Sequence, residues 1–243
     1  ARVIRTSHGR PNEMERDLLD DRCLVCGIDE VGRGAWAGPL VVGVAVGDPS
    51  RVGPLLLRGP QGKSGPYADS KALAPLRRIR IASKLRELLD AVGIGVVEVR
   101  EIDQLGMAEA LRLACSRALS QVDDVAFSVE IDGPSAYVPP RYVPHTRAIV
   151  GGDSHSPMIA AASIVAKVHR DQLMVDADDS YPMFDFARNK GYPSPFHRRA
   201  LLGWGPSTFH RVSWKPFDEL VFTHAELLKG RLRSRDGNGG LHD

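Results

Sequence analysis

The sequence predicts an α/β fold in which helices cover the faces of a central sheet. Short apolar segments that favour strands alternate with longer segments of helical periodicity, which is the pattern of such folds. Acidic residues follow several of the strands, and open α/β sheets place their chemistry at the carboxyl ends of strands. The 243 residues are enough for one well-buried domain and too few for two large ones.

Five strands are predicted from apolar runs bounded by Gly, Pro and acidic residues, at 23–29, 40–46, 94–99, 125–131 and 147–150. The first two are joined by the turn Gly32-Arg33-Gly34 and are expected to pair like a hairpin. Residues 47–69 are rich in Gly and Pro, which favours a loop.

Helical periodicity, with Pro75 in a first turn, predicts helices at 75–89, 108–119, 159–175, 197–202 and 218–228. The first half of the third helix is rich in Ala and Ser, which indicates close packing. Residues 180–195 form an aromatic loop that contains Pro and Gly, and residues 231–243 are expected to be disordered.

Composition indicates a soluble protein, because 43% of the residues are hydrophobic and 26% are charged. No run of 18 apolar residues occurs, and residues 1–21 carry five acids, unlike a secretory signal. A cytoplasmic protein without a membrane partner is therefore predicted. Cys23, Cys26 and Cys115 cannot form a complete disulfide set and are interpreted as buried structural residues.

Charge is unevenly distributed along the chain. Residues 186–235 hold ten Lys/Arg and three Asp/Glu, a net of +7, whereas the whole chain has a formal charge of +2. A basic C-terminal region beside an acidic body suggests an anionic partner for the first and metal ions for the second. A basic surface that is merely solvated remains an equal alternative on charge alone.

Four carboxylates stand out because each follows an apolar strand: Asp29, Glu30, Asp132 and Asp153. A single acid at a strand end is usually a turn or capping residue. Four at the ends of three strands would repel one another unless cations neutralise them. Oxygen ligands favour Mg²⁺ or Mn²⁺ over zinc, and two such ions can activate water and stabilise the leaving oxygen of a phosphodiester.

From about Val25 to Phe217, the motifs of this chain resemble ribonuclease HII, the bacterial type 2 ribonuclease H. The order of the motifs matches the family, and their number makes coincidence negligible. They are Gly27-Ile28-Asp29-Glu30-Val31-Gly32-Arg33-Gly34, Ala37-Gly38-Pro39, Asp69-Ser70-Lys71, Asp132-Gly133, Gly152-Asp153, the run Ile159 to Lys167, Arg170-Asp171, Lys190-Gly191-Tyr192, His197, Gly205-Pro206 and His210-Arg211.

The resemblance implies a ribonuclease H-like mixed five-stranded sheet flanked by helices, with a small helical C-terminal extension. It implies a catalytic core at 22–180 and a basic, helical substrate-binding region at 181–230, between the polar lead-in at 1–21 and the tail at 231–243 that composition indicates. It also implies that the four acids are catalytic and bind two Mg²⁺ or Mn²⁺ ions.

For the substrate, the resemblance implies that Gly32-Arg33-Gly34 and Tyr192 sense a ribonucleotide and the junction after it. Two glycines permit close approach of the backbone to the minor groove, where the 2′-hydroxyl distinguishes RNA from DNA. Asp171 is expected to support the site indirectly or to pair with Lys167. Candidate contacts to the nucleic-acid backbone are Ser70, Lys71, Ser163, Lys167, Arg198, Arg199 and Arg211.

The implied activity is hydrolysis on the 5′ side of a ribonucleotide, in RNA–DNA hybrids and at single ribonucleotides in duplex DNA, by a monomer that leaves 3′-hydroxyl and 5′-phosphate ends. A structure-specific DNA nuclease on the same core and an inactive hybrid-binding module remain alternatives. Three residues depart from the family's usual pattern and put loop geometry in doubt: Trp36, Asp185 and Asn189.

Overall fold

The computed structural model describes residues 24–56, 73–122, 127–133, 137–215 and 217. Their centre is a five-stranded sheet with the strand order β3-β2-β1-β4-β5. The strands are β1 (Val25–Val31), β2 (Leu40–Gly47), β3 (Ala91–Val97), β4 (Ser128–Asp132) and β5 (Thr146–Ile149). β1 pairs antiparallel with β2, as the hairpin prediction requires, and parallel with β4. The sheet is therefore mixed, which confirms the predicted fold class.

Seven helices occur among the described residues, besides short 3₁₀ turns. They are α1 (Pro49–Leu56), α2 (Pro75–Leu88), α3 (Val99–Leu119), α4 (Gly152–His155), α5 (Pro157–Asp178), α6 (Phe186–Asn189) and α7 (Pro195–Trp204). The predicted lead-in at 1–21, the segment with Ser70 and Lys71, the helix at 218–228 and the tail at 231–243 lie outside the described residues.

Helices α5 and α3 cover the sheet and form the two main parts of the core. The predicted close packing of α5 is present, because a Cβ on Gly27 of β1 would lie 2.1 Å from the Met158 carbonyl carbon. A Cβ on Gly43 of β2 would likewise lie 2.5 Å from the Ala162 carbonyl oxygen. The small residues of helix and strands therefore let α5 lie almost directly on β2 and on β1, the strand that carries Asp29 and Glu30.

The prediction of a loop over residues 47–69 is wrong for its first part, where α1 lies. The side chain of Asp48 accepts a hydrogen bond from the Ser50 amide at 2.8 Å, and Pro49 occupies the first turn. Val52 and Leu56 are buried on one face of α1. Gly and Pro favour loops locally, but the cap and the burial of these apolar side chains stabilise a helix here.

Helix α3 begins nine residues before its predicted start. The Glu98 and Glu101 side chains form a capping box at the observed start of the helix, and the Glu98 amide donates to the Glu101 carboxylate at 3.0 Å. Gly106 has φ 74° and ψ 163°, so the helix is kinked there. The prediction captured only the part that follows the kink.

Candidate active site

The carboxylates predicted to act together lie at one edge of the sheet. In the parallel pair β1 and β4, Ile28 is in register with Ile131, so Asp29 and Asp132 follow at neighbouring positions. Asp132 is paired in turn with Ile149 at the end of β5. The Gly152 amide donates to the Asp132 carboxylate at 2.8 Å, so α4 begins beside the end of β4. Asp153 is the second residue of α4.

Asp29 is the most buried of these acids, with 9% of its surface exposed. Burial raises its pKa to about 7, and the charges of Glu30 and Asp132 act in the same direction. Hydrogen bonds from the Ser163 hydroxyl and from the Glu30 amide, the latter at 2.8 Å, oppose this rise. The pKa shows that the edge of the sheet holds its negative charge at an energetic cost.

Glu30 is held by a partner that the sequence did not reveal. The Tyr137 hydroxyl donates to Glu30 Oε2 at 3.0 Å, and Tyr137 is 5% exposed. Burial, followed by the charge of Glu30, raises the pKa of Tyr137, so this tyrosine remains a neutral donor. Arg33 Nη1 lies 3.5 Å from the other carboxylate oxygen of Glu30. No family motif contains Tyr137, and only its position beyond β4 links it to the site.

The donor set of this edge fits a hard divalent cation, since it consists of carboxylate oxygens. The raised pKa of Asp29 supports the fit, because a dication would favour the ionised carboxylate that burial, and to a smaller extent Glu30 and Asp132, disfavour. Among the residues that the structure describes, however, no three His, Cys, Asp or Glu side chains converge closely enough to form a metal site. The four-acid metal centre therefore stays a prediction.

The Gly32-Arg33-Gly34 turn presents one exposed side and one buried side. Gly32 is buried with φ 91°, and a Cβ there would lie 2.1 Å from Arg170 Nε. Only glycine satisfies both the backbone angle and this contact. Arg33 and Gly34 are exposed, and a Cβ on Gly34 would meet no atom within 4 Å. The accessible part of the turn is therefore its second half.

Arg211 was predicted to contact the substrate backbone, but the structure places it in the interior with 0% exposure. Its guanidinium donates to the carbonyls of Gly32 at 2.7 Å, Arg33 at 3.3 Å, Gly38 at 2.8 Å and Pro39 at 3.1 Å. Burial lowers the pKa of Arg211 to about 9. This placement favours a structural role, in which Arg211 fixes the backbone of the glycine turn from the protein interior.

Arg170 is a second fully buried arginine, and it joins the glycine turn to the Tyr192 loop. It donates to the carbonyls of Pro39 at 2.9 Å, Ala37 at 3.1 Å and Lys190 at 2.9 Å. Its guanidinium also lies 5.6 Å from the centre of the Tyr192 ring. A motif contains Arg170, but its sequence gives no sign that the side chain points inward.

Backbone hydrogen bonds complete this connection. The Gly191 carbonyl accepts from the amides of Trp36 at 2.8 Å and Ala37 at 3.2 Å. Gly191 has φ 79°, and a Cβ there would lie 2.3 Å from the Ala37 carbonyl oxygen. Tyr192, the next residue, is 37% exposed. The two segments predicted to sense the ribonucleotide are thus adjacent, although far apart in sequence.

The remaining predicted residues separate into buried and exposed sets. Ser163 is 3% exposed and bonds to Asp29, which favours a role in the carboxylate site. Lys167 forms an ion pair with Asp171, and Arg78 Nη1 lies 2.9 Å from the same carboxylate, so the predicted helix ion pair is present. Arg198 and Arg199 are exposed on α7.

The three departures from the family pattern are accommodated locally. Asp185 adopts the left-handed conformation, with φ 57°, that glycine would adopt without strain. Asn189 bridges its loop, donating to the Phe184 carbonyl at 2.6 Å and accepting from the Gly191 amide at 2.8 Å. The Arg198 guanidinium lies 5.1 Å from the Trp36 ring centre.

The sequence model of ribonuclease HII matches residues 26–217. The chain belongs to the ribonuclease HII family. Members are metal-dependent endonucleases that hydrolyse phosphodiester bonds, so this chain is a ribonuclease H. The match begins at the second residue of β1, contains the other four strands and includes the complete set of strand-edge acids.

Relatives and solved structures agree with this assignment. Ribonuclease HII from a strain of Thermus thermophilus is 43% identical over 194 residues, covering 79% of this chain and 87% of the relative. Ribonuclease HII from Streptomyces griseus is 43% identical over 199 residues, covering 81% and 79%. The crystal structure of ribonuclease H2 from Pyrococcus horikoshii OT3 is 28% identical with a TM-score of 0.64, covering 84% of this chain and 99% of that one.

Among the described residues, the structure contains no helix that is long and apolar enough to cross a membrane.

Proposed function

We propose that this chain hydrolyses the phosphodiester bond on the 5′ side of a ribonucleotide, in RNA–DNA hybrids and at single ribonucleotides in duplex DNA. The products are 3′-hydroxyl and 5′-phosphate ends. The observation that carries the proposal is the adjacency of two features, a strand edge with Asp29, Glu30 and Asp132, and a glycine turn that begins two residues after Glu30. The residues that cleave the bond and the residues that recognise the 2′-hydroxyl would then be only a few positions apart in the chain.

The residues that would hold two Mg²⁺ or Mn²⁺ ions are Asp29, Glu30, Asp132 and Asp153. Bound there, the ions supply an activated water and stabilise the charge that develops on the leaving oxygen. The protein's part is to fix the carboxylates beforehand. Tyr137 orients Glu30, the Gly152 amide orients Asp132, and hydrogen bonds from Ser163 and a backbone amide orient Asp29.

Recognition of the ribonucleotide is assigned to the exposed half of the glycine turn and to Tyr192. Buried Arg170 and Arg211 hold the carbonyls on the inner side of this surface, so the outer side is preorganised. The backbone at Gly34 is open to close approach. The exposed Tyr192 can pack its ring on a sugar and offer its hydroxyl to a phosphate or 2′-hydroxyl.

Contacts to the nucleic-acid backbone are assigned to Arg198 and Arg199, which are exposed on α7. Ser70 and Lys71 are proposed for the same task on the basis of their motif. A monomer in the cytoplasm would be sufficient for this reaction, because all proposed residues come from one chain.

The assignment of Asp132 is tested by the matched variants Asp132→Asn and Glu130→Gln. Both remove one negative charge from β4, but Glu130 pairs with Arg147 at 2.6 Å and is not among the proposed metal ligands. Asp132→Asn should lower cleavage of a duplex with a single ribonucleotide at least about a hundred-fold, the scale for one preorganised electrostatic group. Glu130→Gln should remain near the parent rate.

Near-normal turnover of folded Asp132→Asn with Mg²⁺ would remove Asp132 from the metal site. Circular dichroism and thermal unfolding of both variants separate a loss of chemistry from a loss of fold.

A further inference from the structure

Two histidines lie buried beneath the Tyr192 loop and contact each other through their rings. His197 is 0% exposed and His210 is 1% exposed, and their Nε2 atoms are 2.9 Å apart. Phe184 and Phe186 pack against both rings. Neither histidine lies among the carboxylates, so the reaction proposed above leaves the pair without a role.

The hydrogen bonds allow one neutral arrangement of protons on the pair. The Ser207 backbone amide can only donate, and it does so to His210 Nδ1 at 3.0 Å. His210 must therefore carry its proton on Nε2 and donate it to His197 Nε2. His197 then carries its own proton on Nδ1, which lies 2.9 Å from the Tyr192 carbonyl oxygen. The chain of donors runs in one direction, from Ser207 to Tyr192.

The surroundings keep both rings neutral. Burial lowers the pKa of His197, and burial together with the neighbouring His197 lowers the pKa of His210 to about 3. A proton added to His197 would place two Nε2–H groups face to face across 2.9 Å, and one added to His210 would set Nδ1–H against the Ser207 amide at 3.0 Å. The neutral pair therefore has a single direction of donation, from His210 to His197.

The end of this donor chain is the backbone of the residue proposed to sense the junction. The Tyr192 carbonyl also accepts from the Ser194 amide at 2.8 Å, and the Tyr192 amide donates to the Asn189 carbonyl at 3.0 Å. Both backbone groups of Tyr192 are thus occupied while its ring remains exposed. The bond from His197 ties the Tyr192 carbonyl to the buried face of α7, beside the bonds that Arg170, Trp36 and Ala37 make to the two preceding residues.

We propose that His197 and His210 are positioning residues for Tyr192, with His197 holding the tyrosine carbonyl and His210 fixing the ring proton that His197 donates. The inference rests on the proposed role of Tyr192 at the ribonucleotide junction. It predicts that loss of the His197 donor changes substrate preference as well as stability.

Two substitutions of His197 separate positioning from packing. His197→Asn places an amide N–H near the position of Nδ1 and can still donate to the Tyr192 carbonyl. His197→Gln places its amide near Nε2, so it keeps a partner in His210 and loses the bond to Tyr192. Both shorten or reshape a buried side chain, and both should lower the melting temperature.

The measurement is kcat/KM on a duplex with one ribonucleotide and on a long RNA–DNA hybrid, at a temperature where all variants are folded. Tyr192→Ala is the benchmark and should lose more activity on the single ribonucleotide. His197→Gln should lower the ratio of the two rates about three- to tenfold, the effect of one hydrogen bond, whereas His197→Asn should retain the parent ratio. Equal fractional losses for both His197 variants on both substrates would overturn the inference.

An unchanged ratio in Tyr192→Ala itself would instead refute junction sensing by Tyr192, and the inference would fall with it. Long-range ¹H–¹⁵N spectra of the parent protein test the donor chain independently of activity. They should identify neutral His197 with its proton on Nδ1 and neutral His210 with its proton on Nε2. The opposite tautomers, or a charged ring at pH 7, would also overturn the inference.

Discussion

At Asp29, burial and two neighbouring carboxylates act against the ionised form that metal binding requires. The folded protein raises the pKa of Asp29 from 3.8 to about 7. Between these values the folded chain retains a proton that the unfolded chain has released, so stability falls as pH rises through this range. The residue best placed for chemistry is therefore a destabilising residue in the metal-free protein.

Asp29→Asn should consequently stabilise the metal-free protein more at pH 8 than at pH 5. The expected difference between the two pH values is about 2.6 kcal/mol, since the change spans about two units below the raised pKa and one unit corresponds to about 1.4 kcal/mol. Urea unfolding with EDTA present measures it. An equal change in unfolding free energy at both pH values would show that the pKa of Asp29 is not raised.

At the scale of elements, local sequence signals predicted the sheet well because each strand is a short apolar run with turn residues beside it. β1 and β2 are buried along most of their length, so the preference of their apolar residues for strands agrees with the tertiary packing. The whole of α1 was missed because a side-chain cap and burial stabilise a helix where Gly and Pro favour a loop. The start of α3 was missed because a capping box begins the helix before the kink at Gly106.

For the candidate site too, features with a local sequence signal were predicted, and features that depend on tertiary contacts were not. The four acids were predicted because each follows a strand in the sequence, and their joint role as metal ligands stays a prediction. The inward direction of Arg170 and Arg211 could not be predicted, since an arginine in a motif looks alike whether it binds a phosphate or a backbone carbonyl. The resemblance supplied the glycine turn and Tyr192, and the structure adds the buried contacts between them.

Asp185, between a 3₁₀ turn and α6, carries a conformation that favours glycine. Asp185→Gly should stabilise the protein by about 0.5–1 kcal/mol, because removing the Cβ relieves left-handed strain. Asp179→Gly is the matched control, since Asp179 has φ −60° at the end of α5 and gains nothing from the change. Its stability should fall through the added freedom of the unfolded chain.

Chemical unfolding of both variants measures the two effects. Similar destabilisation at the two positions would show that the Asp185 side chain makes a compensating interaction that outweighs the strain.

In the whole molecule, the excess of basic residues and the candidate catalytic acids lie in different parts of the chain. The net of +7 over residues 186–235 includes buried Arg211, so the exposed contribution in the described region comes from residues such as Arg198 and Arg199. The acids lie on β1, β4 and α4. A substrate that contacts both regions would be held by its phosphates on one side and cleaved on the other.

Substrate affinity should therefore weaken steeply with salt, through displacement of counterions from the duplex. The double variant Arg198→Gln/Arg199→Gln should reduce the slope of log K against log salt by up to about two. Arg77→Gln/Arg80→Gln removes two exposed charges from α2 and serves as the control, with a slope near the parent value. Equal slopes in the parent and the α7 variant would place this surface away from the substrate.

Cleavage directed by a ribonucleotide can be tested on a single gel. End-labelled duplexes that differ only in one 2′-hydroxyl are incubated with the protein and Mg²⁺ or Mn²⁺, or with EDTA. We expect a single cut on the 5′ side of the ribonucleotide, with 3′-hydroxyl and 5′-phosphate ends, and no cut without the metal or without the 2′-hydroxyl. Metal-dependent cleavage of the all-DNA duplex at the same rate would contradict it and indicate a DNA nuclease on this fold.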